Sequence, residues 1–201
     1  MNTASHLQET FSLNSNKWLF VTILFVALSS FVSSLGGVLV FGLNFIPVIL
    51  MCLITSLSSV LAQVAIIRGA LDIKISDWLV WPLVGNIIGW MLSLLVVIFV
   101  YFLFQLSDIS FTDEALVLEK LYAAPLPVAA LLGMLGGAVI GLPPGIFSGL
   151  AYSWLFRPVY NAKQLVESNV MGWCIGMGLV FASLLIVYVI IARAMTSIFM
   201  N

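Results

Sequence analysis

The stretch that decides the fold class is PLPVAALLGMLGGAVIGLPPGIFSGLAYSWLF, residues 125–156. It contains no Asp, Glu, Lys or Arg, and glycine recurs in it every four residues. About 20 consecutive apolar residues are enough for an α-helix to cross the hydrocarbon of a bilayer. An uncharged run of this length therefore predicts a membrane-spanning helix at 127–156.

The rest of the chain follows the same pattern, because 63% of all residues are hydrophobic and only 7% are charged. A soluble domain carries about a quarter charged residues. We therefore expect an all-α, polytopic transmembrane bundle of about five spans. A polar tail, 1–17, precedes a single transmembrane domain, 18–201, with spans near 18–43, 46–67, 79–105, 127–156 and 170–195. Only Asn44 and Pro47 divide the first two spans, so a re-entrant or broken helix is the alternative there.

The distribution of basic residues predicts the orientation. Five spans put the N-terminal tail and the loops at 68–78 and 157–169 on one side, where five of the seven Lys and Arg residues lie. By the positive-inside rule this side is the cytoplasm, so the C-terminus lies on the opposite side. The membrane is then a bacterial inner membrane or a thylakoid membrane. The basic residues on the cytoplasmic side are Lys17, Arg68, Lys74, Arg157 and Lys163, against Lys120 and Arg193 on the other side.

The longest connection, 106–126, is predicted to be extracytoplasmic. Thr112 can cap a short helix whose first turn holds Asp113 and Glu114, and Pro125 would end it. Such a helix suits the membrane surface. It either joins two spans or docks another protein, and the simple connection is the favoured interpretation.

The pattern Asn-x-x-Gly-Trp occurs twice, at 86–90 and at 169–173. Before each copy a predicted span ends in Arg, at 63–68 and at 152–157, and Tyr152 takes the place of Gln63 in the second copy. The pattern predicts a parallel duplication of a helical hairpin, about 46–105 and 127–195. Parallel repeats occur in transporters.

These motifs resemble those of small polytopic bacterial membrane proteins, often cyanobacterial, that have glycine-rich helical hairpins. The likeness rests on the Gln-x-x-x-x-Arg helix end and the Gly-Trp that follows it, within residues 46–178. The resemblance implies a helical membrane protein and no particular activity.

A glycine face is the strongest local signal for helix packing. Glycines four residues apart share one face of a helix and let another backbone approach closely. We expect this face to pack against the fifth span, and the alternative is a surface for another protein. The predicted interface residues are Gly133, Gly137, Gly141, Gly145 and Gly149, with Gly172 and Gly176 on the fifth span.

Pro143 and Pro144 interrupt the same helix near its centre. Each proline removes an amide donor and leaves the carbonyl four residues earlier without its partner. A structural kink is the favoured interpretation. The alternative is a path or hinge formed by Pro143 and Pro144 together with Gln63, Asn86 and Asn169.

Several chemistries are excluded by residue counts. The one histidine, His6, lies in the tail, and Cys52 and Cys174 do not have a metal-binding spacing. We therefore expect no metal site, no cofactor and no catalytic residues. A net charge of −1 provides no basic surface for nucleic acid.

Three function classes remain. The first is a non-enzymatic membrane subunit or assembly factor, whose partners are the lipid bilayer and other membrane subunits. The alternative is a small-solute transporter, channel or substrate-binding membrane subunit. The third is a lipid-modifying or intramembrane enzyme, for which no nucleophile and base can be named. The uncharged span interiors argue against an ion-coupled pump.

Overall fold

The computed structural model describes residues 15–41, 45–68, 75–106, 123, 125–155 and 162–199. They form five helices, and no strand occurs among them. Each helix contains a stretch that is long and apolar enough to cross a membrane. The predicted all-α, five-span membrane bundle is confirmed. The helices are α1 (Ser15–Phe41), α2 (Phe45–Arg68), α3 (Ile75–Leu106), α4 (Leu126–Leu155) and α5 (Ala162–Phe199).

The helix ends correct several predicted boundaries. α1 begins at Ser15, inside the predicted polar tail, and α3 begins at Ile75, inside the predicted loop. α5 begins at Ala162 rather than near residue 170 and ends at Phe199 rather than near 195. The first turns of α5 are polar and extend the helix beyond the apolar run. There Lys163 and Glu167 form an exposed ion pair of 3.8 Å at i,i+4 spacing, which supports a helix. The surface helix predicted from Thr112 lies outside the described residues.

The five helices form a closed ring, because each packs against the next along the chain and α5 packs against α1. α1 and α5 run parallel: a Cβ at Gly172 would lie 2.6 Å from Thr22 Cγ2, and one at Gly176 would lie 2.8 Å from Val26 Cγ1. The other neighbours are antiparallel, as an odd-numbered ring requires. α1 and α2 are separate helices, so the predicted alternative of one broken helix is wrong.

The glycine face of α4 lies against α5. A Cβ at Gly141 would lie 2.5 Å from Trp173 O, and one at Gly133 would lie 2.7 Å from Ala182 Cα. Close backbone contact of this kind is the usual role of small residues between membrane helices. Gly172 and Gly176 correct the sequence analysis, because they face α1 rather than α4. They lie one position, or about 100°, around α5 from the residues that meet α4.

The polarity of the ring is that of a membrane protein. Large apolar side chains such as Phe20, Leu131 and Ile191 are exposed on the outside. Gln63 and Asn169 are buried inside it. Polar side chains in membrane bundles face the interior because hydrocarbon offers them no hydrogen bonds. The interior is therefore the place to look for a functional site.

Candidate functional site

A hydrogen-bonded network in the interior joins four of the five helices. Gln63 of α2 donates from Nε2 to Thr22 Oγ1 of α1 at 2.7 Å and to Asn169 Oδ1 of α5 at 2.8 Å. Asn169 in turn donates from Nδ2 to Ser148 Oγ of α4 at 2.6 Å and to Gly145 O at 3.0 Å. An amide nitrogen carries two hydrogens, so both nitrogens are fully used. We call these residues the Gln63–Asn169 network.

The hydroxyls of this network can accept because their own hydrogens are directed to the backbone. Thr22 Oγ1 donates to Trp18 O at 2.8 Å, and Ser148 Oγ donates to Pro144 O at 2.6 Å. Both bonds reach back four residues, the usual acceptor for a hydroxyl in a helix. The backbone therefore fixes the orientation of both acceptors.

Next to this network, several buried polar atoms have no hydrogen-bond partner among the described residues. Asn86 of α3 is buried with both amide atoms unpartnered, and Gln63 uses only its nitrogen. An unpaired buried polar group costs roughly 1–3 kcal/mol, and hydrocarbon supplies no water to reduce that cost. Every helix contributes at least one atom to this set, which comprises Trp18 Nε1, Gln63 Oε1, Asn86 Nδ2, Asn86 Oδ1, Tyr152 OH and Trp173 Nε1.

Two aromatic pairs adjoin these atoms, and we call the Gln63–Asn169 network, the unpartnered atoms and these pairs together the polar layer. Trp18 and Tyr152 meet edge to face with ring centroids 4.9 Å apart, on the side where α1 begins. Trp90 and Trp173 meet at 5.9 Å. Thr22 lies one turn after Trp18, and Asn169 lies one turn before Trp173. Because Thr22 packs beside Gly172 on the parallel helix, these four residues lie within the same two turns of α1 and α5.

The two Asn-x-x-Gly-Trp motifs meet in the interior. Their tryptophans form the second aromatic pair, and Trp90 Nε1 donates to Ser56 Oγ of α2 at 3.1 Å. The asparagines differ: Asn169 belongs to the Gln63–Asn169 network, whereas the side-chain amide of Asn86 has no hydrogen-bond partner among the described residues. The motifs share a sequence pattern but not a hydrogen-bonding state.

The prolines of α4 lie against α3. Pro144 has no amide hydrogen, so Ile140 O lacks its usual helical donor. Ser93 of α3 lies against this carbonyl: its Oγ is 2.9 Å from Ile140 O and 3.0 Å from Gly89 O, so the two carbonyls share one hydroxyl hydrogen. Pro143 and Pro144 are buried at this contact. The carbonyl that Pro144 leaves without its amide donor is thus covered by a neighbouring helix.

The predicted path residues are only partly brought together. Gln63 and Asn169 are bonded directly, and Asn86 lies in the adjoining part of the interior, one turn from Trp90. Pro144 contributes only its carbonyl oxygen, which accepts a hydrogen bond from Ser148 Oγ. The polar layer, rather than the proline pair, is the candidate site.

The chemistry available to this layer is neutral hydrogen bonding. Its members are amides, hydroxyls and indoles. In the part of the chain that the structure describes, no cluster of three metal-ligand side chains occurs. The two cysteines are free and lie on different helices. No nucleophile with an adjacent base can be named among these residues.

Comparison with protein-family models, curated proteins and solved structures gives no match. The resemblance to small bacterial polytopic proteins stays a prediction.

Two clefts on the outer surface do not share this chemistry. One of about 330 Å³ lies between α1 and α5, beside Phe31 and Val187. One of about 160 Å³ lies between α2 and α3, beside Leu53 and Met91. Both are almost wholly apolar and face the hydrocarbon, as lipid-filled grooves do.

Sequence reasoning missed several members of the layer. Tryptophans of membrane proteins commonly lie at the membrane interface, but Trp18, Trp90 and Trp173 are buried in the ring. The sequence does not indicate this, because hydropathy alone does not distinguish the interior of a bundle from its surface. Tyr152 was identifiable, since it occupies the position of Gln63 in the second copy of the predicted repeat.

Proposed function

We propose that this chain binds a small, uncharged polar solute inside its helix ring and passes it across the membrane. The supporting observation is the polar layer, in which the five helices together present unpartnered hydrogen-bonding atoms. Polar groups are retained in a bilayer at a cost, so they commonly mark substrate paths. The layer lacks an ionisable group other than the Tyr152 hydroxyl, which favours a neutral solute over an ion.

The geometry favours this class over a purely structural subunit. A glycine face free to bind another protein would be evidence for such a subunit. The main face, from Gly133 to Gly149, packs on α5 within the molecule. Internal packing therefore accounts for those glycines and leaves the polar layer as the feature that needs a function.

Solute flux tests the proposal. Proteoliposomes are mixed rapidly with urea or with glycerol, and light scattering reports the volume recovery as solute enters. We expect faster recovery than in protein-free liposomes for at least one probe. Ser183→Ala is the control, because this exposed hydroxyl donates only to Leu179 O of its own helix. Equal rates with and without protein for both probes would contradict the proposal.

A role as a membrane-complex subunit is the second candidate, and one observation favours it. Gly36 of α1 and Gly136 of α4 are exposed, and a Cβ at either would meet no described atom within 4 Å. Exposed glycines of this kind allow the helix of another protein to approach closely. Mild-detergent extraction, native gel separation and mass spectrometry test this role. A stoichiometric partner lost in Gly136→Leu supports it, and a lone species in the wild type contradicts it.

We also propose that the N-terminus lies in the cytoplasm of a bacterial inner or thylakoid membrane. The basis is the excess of Lys and Arg on that side. Alkaline phosphatase fused to the C-terminus should then be active, because the enzyme matures only outside the cytoplasm. Activity of an N-terminal fusion instead would reverse the assignment.

A further inference from the structure

The predicted duplication relates two pairs of interior residues that behave differently. The repeat matches Gln63 with Tyr152 and Asn169 with Asn86, so the pair Gln63 and Asn169 corresponds to the pair Tyr152 and Asn86. Gln63 of α2 donates to Asn169 of α5 at 2.8 Å. The corresponding pair, Tyr152 of α4 and Asn86 of α3, makes no hydrogen bond, and all three of its polar atoms are unpartnered. The side chains of the first pair therefore satisfy each other by a hydrogen bond, whereas those of the second pair do not.

The packing of α3 on α4 brings the two residues of this second pair to neighbouring levels of the interior. A Cβ at Gly85 would lie 2.7 Å from Phe147 O and 3.1 Å from Ser148 Cα, which puts Asn86 at the level of Ser148. Tyr152 is one turn further along α4. Helical side chains lean toward the N-terminus of their own helix. Because α3 and α4 are antiparallel, Tyr152 leans toward the level of Asn86, and Asn86 leans toward the level of Tyr152.

Further unpartnered polar atoms lie near the same level. Ser148, at this level, accepts from Asn169, which accepts from Gln63. Gln63 Oε1 is therefore close to it and is itself unpartnered among the described residues. Trp18 lies beside Tyr152, with their ring centroids 4.9 Å apart, and both pack with apolar side chains of α2 and α5. The unpartnered groups at this level are thus one amide, one phenol, one amide oxygen and one indole N–H.

We propose that Asn86 and Tyr152 form a binding site for a neutral molecule that carries a donor and an acceptor side by side, as in a primary carboxamide or urea. This inference rests on the proposed function and names its solute class. A free asparagine amide offers one acceptor and two donors on a planar edge. A second planar amide satisfies both sides of that edge at once. Tyr152 OH and Gln63 Oε1 then bind the remaining polar atoms of the solute.

The proposal separates the two asparagines of the repeat, and Asn→Leu at each position is a matched pair of variants. Asn86→Leu removes two unpartnered polar atoms and keeps a similar volume, so the thermal unfolding temperature should stay the same or rise. Asn169→Leu removes three hydrogen bonds and leaves one of the two Gln63 amide hydrogens without its acceptor, so that temperature should fall. A merely structural role for Asn86 would instead make both variants less stable.

Ligand binding is read from thermal unfolding in detergent. Acetamide is the probe, and N,N-dimethylacetamide, which lacks N–H donors, is the control probe. We expect acetamide, and not its dimethyl form, to raise the unfolding temperature of the wild type. Asn86→Leu should abolish this shift, and Tyr152→Phe should reduce it. No shift in the wild type, or an equal shift in Asn86→Leu, overturns the site.

Urea flux separates this inference from the proposed function. In Asn86→Leu liposomes we expect urea flux to fall about tenfold, equivalent to roughly 1.4 kcal/mol. Undiminished flux in Asn86→Leu and in Tyr152→Phe overturns the site and leaves the transport proposal standing. If wild-type liposomes show no flux, transport fails, and the acetamide shift alone decides whether the site binds amides.

Discussion

Gln63 is the residue at which the interior hydrogen bonds of α1, α2 and α5 converge. Its Nε2 donates to Thr22 Oγ1 and to Asn169 Oδ1. Gln63→Leu would leave Asn169 Oδ1 without a donor. An unmade buried bond costs roughly 1–3 kcal/mol in general, but bonds between membrane helices average about 0.6 kcal/mol because the unfolded reference finds other partners. With two bonds lost, we expect the free energy of unfolding to fall by about 1 kcal/mol.

Denaturation in mixed micelles measures this change. Ser183→Ala is the control, because its hydroxyl is exposed and bonds only within α5; we expect its stability to stay within about 0.5 kcal/mol of the wild type. Equal stability of Gln63→Leu and the wild type would show that the network does not hold the helices together.

At the same scale, the sequence predicted which polar residues matter but not how each is paired. Gln63, Asn86 and Asn169 stood out because amides are rare in uncharged spans. Asn86 and Asn169 have the same local motif, so nothing near them in the sequence distinguishes the bonded one from the unpartnered one. The difference depends on what other helices place opposite: Gln63 and Ser148 lie against Asn169.

The α4–α5 contact offers a matched pair of glycines at the scale of the element. A Cβ at Gly137 would overlap Met177 O, whereas one at Gly136 would meet nothing within 4 Å among the described atoms. Overpacking a tight contact costs roughly 1–3 kcal/mol. Gly137→Ala should therefore lower the free energy of unfolding by an amount in that range, and Gly136→Ala should leave it nearly unchanged. Parallel mixed-micelle denaturation measures both, and similar losses in the two variants would refute the close α4–α5 contact.

The helices themselves were predictable, but their arrangement was not. Long uncharged runs fix the number of spans and most of their ends. α5 began earlier than expected because polar residues such as Lys163 and Glu167 form its first turns. The order of the helices around the ring could not be predicted, because these spans are apolar on nearly every face. No periodic pattern therefore indicates which side of each helix faces the interior. Glycine spacing indicated one contact, and the partners of Gly172 and Gly176 followed only from the structure.

At the scale of the whole molecule, polarity is arranged inside out relative to a soluble protein. Apolar side chains such as Leu39 and Met91 are exposed, and Thr55, Ser56 and Asn86 are buried. This arrangement is stable only where the outside is hydrocarbon. Because the apolar residues are so numerous, composition alone identifies a membrane protein. The neutral amides and hydroxyls that could recognise a solute are few, so composition does not identify the solute.

The charge distribution of the molecule predicts a transport mode that does not use the proton gradient. Proton-coupled carriers need a side chain at depth that gains and loses a proton near neutral pH. Among the described side chains, Lys17, Lys163 and Glu167 lie in the first turns of α1 and α5, and Arg193 lies near the end of α5. The polar layer between them holds only amides, hydroxyls and indoles.

We therefore expect urea flux into proteoliposomes to be the same with and without an imposed pH difference, and unchanged by a protonophore. The measurement needs an internal pH dye, so that the gradient and its collapse are both verified. Flux that rises with an inward proton gradient and falls with the protonophore would contradict this prediction. It would require a proton-carrying group outside the described side chains, and the neutral amide layer could not then be the coupling site.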